Sequence, residues 1–168
     1  MENEVIFSEK QRFKQWWIWT ILIGVNTLML SFVFIQVVKG KIIGDYPATN
    51  GQLITAAGIS LLITIFILIF RLDTQIKSDG IYVKFFPLQT SFRFFPWNSL
   101  QKCYVRKYSP IAEYGGWGWR FGLFGKGVCY NISGNQGLQL EFMNGKKLLI
   151  GTQKPKAVSE VVNKYFLQ

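Results

Sequence analysis

WWIWTILIGVNTLMLSFVFIQVV, residues Trp16 to Val38, contains no charged residue, and its reading decides what kind of protein this is. At about 1.5 Å per helical residue the run extends roughly 35 Å, enough to cross a hydrocarbon core of about 30 Å. A second uncharged run, LITAAGISLLITIFILIF from Leu53 to Phe70, extends roughly 27 Å by the same rise. The first run is too long for the apolar core of a secretory signal. It is preceded by Glu2, Glu4 and Glu9, and no small-x-small cleavage site follows it. Both runs are therefore expected to be membrane helices.

Lys39 to Gln52 joins the two runs and carries Gly40, Gly44, Pro47 and Gly51, the composition of a turn between antiparallel helices. Basic residues near the helix ends set the expected orientation. Lys10, Arg12 and Lys14 precede the first helix and Arg71, Lys77 and Lys84 follow the second, against Lys39 and Lys41 in the connection. The chain is thus expected to have a cytoplasmic, interfacial segment over 1–15 and transmembrane helices over 16–38 and 53–70. A short extracytoplasmic loop over 39–52 joins the helices, and a cytoplasmic domain follows over 71–168. Ser8 and Gln11 stand at capping-box spacing, so a surface helix is expected to begin near Ser8.

Within the hairpin, Gly24, Thr27 and Ser31 form one narrow face and Ala57, Ser60 and Thr64 another, and the two are expected to pack against each other. Asn26 lies about 200° around the helix from Gly24, away from that seam. It faces either a further membrane partner or a backbone carbonyl of its own helix. Trp16, Trp17 and Trp19 cluster where the helix leaves the cytoplasm, the depth at which indole rings anchor.

Beyond Arg71 the period changes to two. Ile81, Val83 and Phe85 alternate with Tyr82 and Lys84, and Leu138, Leu140 and Phe142 alternate with Gln139 and Glu141. With turns at Ser78-Asp79-Gly80, Pro87, Pro96 and Asn144-Gly145, seven strands are expected: 72–77, 80–86, 91–95, 101–108, 127–132, 137–142 and 146–151. A helix then starts near Pro155, its apolar stripe formed by Val158, Val161, Val162, Tyr165 and Phe166. Seven strands followed by one amphipathic helix resemble the element order of a pleckstrin-homology-like (PH-like) fold, so the expected class is membrane α + β: a two-helix transmembrane hairpin followed by a PH-like seven-stranded sandwich or barrel with a C-terminal helix.

More specifically, IKSDGIYVKFFPL (Ile76 to Leu88), FPWNSLQKCYVRKYSP (Phe95 to Pro110), YGGWGWR (Tyr114 to Arg120) and YNISGNQGLQLEFMNGKKLLIGTQKP (Tyr130 to Pro155) carry a resemblance. Together they resemble a family of small bacterial membrane proteins with two transmembrane helices and a PH-like domain. The resemblance covers roughly the last 95 residues well and the hairpin only in general character. It implies architecture and a bacterial origin, and no activity; with the orientation read from the basic residues, the expected location is a bacterial inner membrane with both termini cytoplasmic. In PH-like domains that grip inositol phosphates, basic residues crowd the loop between the first two strands. Here that loop is the tight Ser78-Asp79-Gly80 turn, so that grip is not expected.

The connection between the fourth and fifth expected strands holds YGGWGWRFGLFGKG, Tyr114 to Gly127, with six glycines and five aromatics. Two placements are open. Trp117, Trp119, Phe121 and Phe124 dip into the lipid interface or meet a partner, with Arg120 and Lys126 on phosphates. Alternatively the tryptophans fold back onto the domain's core or form a short hairpin.

No catalytic group is expected. The chain has no histidine, and Asp73, Asp79, Glu113, Glu141 and Glu160 are scattered. GNQGLQLEFMNGK lacks the Gly-Lys-Ser/Thr ending of a phosphate loop. Cys103 and Cys129 read as small core residues, and no cofactor or metal is expected. From Arg71 onward fourteen basic and five acidic residues give a net +9, suited to anionic headgroups. No recognition-helix or zinc-finger pattern points to nucleic acid. The expectation is a non-catalytic binding or scaffolding module at the cytoplasmic face of a bacterial inner membrane, with a protein partner or a second copy. The alternatives are an accessory subunit of a larger membrane complex and an anionic-lipid sensor or carrier.

Overall fold

The computed structural model describes residues 4–44, 47–122 and 125–166. The chain forms two compact units, Lys14–Ile69 and a second assembled from Met1–Phe13 together with Phe70–Gln168.

The first unit is a pair of apolar helices. Helix α1 spans Trp16–Val33 and continues as a π-helical turn, Phe34–Val38, while α2 spans Asn50–Ile69. Both are long and apolar enough to cross a bilayer. Helix α2 begins before Leu53 because Thr49 and Gln52 form a capping box. The Thr49 amide donates to Gln52 Oε1 at 2.9 Å, and the Gln52 amide donates to Thr49 Oγ1 at 3.3 Å. Gln36 closes that end by donating to Ala48 O at 2.6 Å and Asn50 Oδ1 at 3.1 Å.

The seam of the pair is not the expected meeting of two small faces. Leu22, Asn26, Met29, Val33 and Gln36 are half-buried at steps of three and four, and they share the interface with Leu53, Ala57, Ser60, Thr64 and Ile67. Ala57, Ser60 and Thr64 do line it, but Gly24, Thr27 and Ser31 are exposed on the far side of α1. Asn26 points into the seam. It donates to Leu22 O and to Thr64 Oγ1, both at 2.7 Å, and accepts from Ser60 Oγ at 3.1 Å. Thr64 Oγ1 in turn donates to Ser60 O at 2.9 Å. Each of these polar atoms has its hydrogen-bond partner inside the pair. Trp16 and Trp17 are exposed at the start of α1 and Trp19 is half-buried.

The described residues of the second unit form two sheets. Strands β1 (Val5–Arg12), β2 (Arg71–Lys77), β3 (Gly80–Phe86) and β4 (Arg93–Pro96) make an antiparallel meander in that order. The other sheet uses β5 (Leu100–Lys107), β6 (Gly118–Phe121), β7 (Val128–Asn131), β8 (Gln136–Phe142) and β9 (Lys147–Gly151) in the order β5-β8-β9-β7-β6. Within it β7 runs parallel to β9. A short helix α3 (Pro110–Tyr114) precedes β6, and α4 (Pro155–Tyr165) ends the fold. Leu72, Ile76, Ile81, Val83 and Phe85 of the first sheet meet Leu138, Leu140 and Ile150 of the second, with Val158 and Val162 of α4 packed on them. The seven expected strands and the last helix are present at the expected places, their ends shifted by two residues or fewer.

Two strands are additional. Segment 5–12 is a strand rather than a surface helix, and Ser8 sits opposite Gln75 in its ladder instead of capping a turn. Its inward residues are Phe7, Glu9 and Gln11, all buried, so the hydrophobic alternation that marks other strands is masked by two polar side chains. Both are held. Glu9 accepts from Thr152 Oγ1 at 2.6 Å and the Gln153 amide at 2.8 Å, and Gln11 donates to Gly151 O at 2.7 Å. The other addition, β6, lies in the Gly-rich connection.

Candidate functional site

From Tyr108 to Tyr114 the connection packs on the second sheet, and β6 then joins that sheet as its edge strand beside β7. Ser109 starts α3 by accepting the Ala112 amide at 3.3 Å, with Pro110 in the first turn. Gly115, at φ 69°, ends the helix, and the amides of Gly115 and Gly116 return to Ile111 O and Pro110 O. That brings Tyr114 onto Tyr108, Cys129 and Leu149 as a second small core.

A polar clamp holds the layer down. Arg106 Nη1 and Nη2 donate to Glu113 Oε1 and Oε2 at 3.2 and 2.9 Å, and Arg106 Nε donates to Gln139 Oε1 at 3.0 Å. The Arg106 hydrogen bonds, helped by the Ser109 amide, hold the Glu113 carboxyl below the usual carboxylate range against the opposing effect of burial. Burial works against the Arg106 charge, but the hydrogen bonds and charge of Glu113 outweigh it, and the guanidinium is held above its ordinary value. Asn131 ties the layer to the sheet, donating to Tyr108 Oη at 2.9 Å and accepting the Gly118 amide at 2.8 Å.

Beyond this clamp the six candidate contact residues separate. Trp119 pairs with Tyr130 across the β6–β7 ladder and turns inward, its ring edge-on to Tyr130 at 5.5 Å. Trp117 is half-buried and donates its indole N–H to Gly134 O at 3.2 Å. Arg120, Phe121 and Lys126 are exposed, Phe121 at 74%. Arg120 Nε donates to Trp117 O at 3.1 Å, and Lys126 Nζ stands 3.7 Å from Glu113. Phe124 lies outside the described residues. The turn itself needs Gly127. It sits at φ 80°, and a Cβ there would collide with the backbone carbonyl of Lys147.

A cleft of about 530 Å³ opens elsewhere in this unit, beside β4. Arg93, Phe95, Val128, Tyr130, Phe142 and Lys146 are among the residues lining it. Sequence reading gave no signal for it, because its walls come from strands of different sheets. At its head, Tyr130 Oη accepts from Arg93 Nη1 at 2.9 Å and from Gln89 Nε2 at 3.1 Å. The Gln89 amide is oriented by its own Oε1, which accepts the Phe85 amide at 3.2 Å.

Cys103 is buried, which pushes its thiol up to about 12, and burial likewise raises the Cys129 thiol, so neither is a ready nucleophile. Among the described residues no three His, Cys, Asp or Glu side chains gather as a metal site. Compared with known proteins, the sequence matches no family model and no curated protein.

Proposed function

We propose that the chain is a non-catalytic binding or scaffolding module with a PH-like sandwich, anchored at the cytoplasmic face of a bacterial inner membrane by the α1–α2 hairpin. One observation carries this reading: the apolar helical segment is inserted between two strands that pair with each other, β1 and β2, with Arg12 opposite Arg71. Pairing supports a hairpin whose two ends emerge on the same side of a bilayer. The cationic balance after Arg71 supports the cytoplasmic side and an anionic headgroup surface. The exposed Arg120, Phe121 and Lys126 supply an aromatic and basic edge for a lipid interface or a protein partner.

A second reading, accessory subunit of a larger membrane complex, is favoured by one feature of α1. Its Gly24, Thr27 and Ser31 face is small, exposed and unused by α2, the kind of surface on which another span packs closely.

The test is made on native membranes. The chain should resist alkaline extraction, and protease added outside intact cells should leave residues 71–168 whole. Release into the soluble fraction, or digestion of the domain from outside, overturns the anchored reading. Cross-linking before mild-detergent purification separates the two readings, since a stoichiometric integral-membrane partner supports the subunit.

A further inference from the structure

We propose that the cleft beside β4 binds an anionic membrane amphiphile. Its charged headgroup would lie at Arg93 and Lys146 and the first carbons of its chain on Phe95, Val128 and Phe142. This rests on the membrane-anchored reading and names the ligand of that module.

Charge complementarity comes first. Arg93 and Lys146 have no carboxylate partner among the described residues, and no acidic side chain lines the cleft. Arg93 spends one N–H on a neutral phenol, leaving the rest of its fork for a phosphate or carboxylate.

Tyr130 adds an independent observation. Its hydroxyl accepts two hydrogen bonds, from Arg93 and Gln89, so both lone pairs are occupied. The hydroxyl proton is left to donate, yet it has no acceptor among the described residues, and Tyr130 is only 1% exposed. A buried donor in this state wants an acceptor, and a ligand oxygen at Arg93 would supply one.

The walls select against a bare anion. Phe95, Val128, Phe142 and Leu148 form an apolar floor that free phosphate would leave wet. The volume of about 530 Å³ lies within the roughly 300–1,000 Å³ of small-molecule sites. It suits a headgroup with part of one chain, the remainder staying outside.

The test uses the full chain in a neutral maltoside detergent, titrated with twelve-carbon lysophosphatidate and with the matching monoacylglycerol, with bound adducts counted by native mass spectrometry. Lysophosphatidate should bind in preference to the uncharged analogue, and equimolar inorganic phosphate should not displace it. Arg93→Glu should weaken binding by roughly tenfold or more, and Tyr130→Phe, which keeps the ring, by about fivefold. Equal binding of the uncharged analogue, displacement by phosphate mole for mole, or unchanged binding in Tyr130→Phe and Arg93→Glu overturns the proposal. The comparison of ligands needs no variant, so misfolding of Arg93→Glu leaves the test intact. A chain that resists alkaline extraction but takes up no lysophosphatidate refutes only the ligand, whereas a chain released by alkali refutes the anchoring itself.

Discussion

Arg12, the last residue of β1, stands opposite Arg71, the first residue of β2. Two like charges directly opposed in a ladder are unfavourable by themselves. Arg71 is compensated by Asp73, 3.1 Å from its Nε, and by stacking on the Phe86 ring at 5.1 Å. The membrane-type hairpin thus takes the place of the turn between two sheet neighbours. Because β1 is made before both helices, it cannot pair until Arg71 and its successors have been synthesised, which makes this ladder a long-range contact closed late.

The hold on β1 is testable at Glu9. Glu9→Ala leaves the Thr152 hydroxyl and the Gln153 amide without their acceptor, at a cost of about 1–3 kcal/mol. Hydrogen exchange of amides 5–12 should accelerate while those of β8 and β9 stay protected. Unchanged protection over 5–12 would show that β1 is held by its ladder alone.

Asn26 supplies the polar fastening of the helical pair. Asn26→Leu removes the bonds to Thr64 and Ser60, and should destabilise the hairpin by about 0.5–2 kcal/mol in a steric-trapping measurement. Thr64 keeps its bond to Ser60 O, which limits the loss. Gly24→Leu is the contrasting substitution. Nothing lies within 4 Å of a Cβ built there, so hairpin stability should hold, and only a packed partner span would be lost on co-purification.

Glu113 makes the outer layer sensitive to acid. Its carboxyl is held below the ordinary value in the folded state, chiefly by Arg106, so its stabilising contribution is fully present above about pH 4.3 and is lost as pH falls through the folded value. Glu113→Gln should therefore lower the urea midpoint at pH 6, and the gap to the parent should narrow below pH 4. A gap that is the same at both pH values would sink the clamp.

Sequence by itself determined the two apolar helices, because each is an unbroken uncharged run, and the seven strands and the amphipathic α4, because burial of one face leaves a hydrophobic period in the chain. It did not disclose β1, whose inward Glu9 and Gln11 break that period and make sense only against Thr152, Gln153 and Gly151, residues far along the chain. Helical geometry placed Asn26 opposite Gly24 correctly. Which of those faces met α2 was a tertiary matter, since a seam of Leu, Met and Val has the same hydropathy as a face turned to lipid. The same holds for the Gly-rich connection and the cleft. Glycine permits Trp119 to turn inward or outward with equal ease, and packing against Tyr130 decided it. Arg93 and Tyr130 come from different sheets, so only closure of the two layers brought their polar atoms within hydrogen-bonding distance.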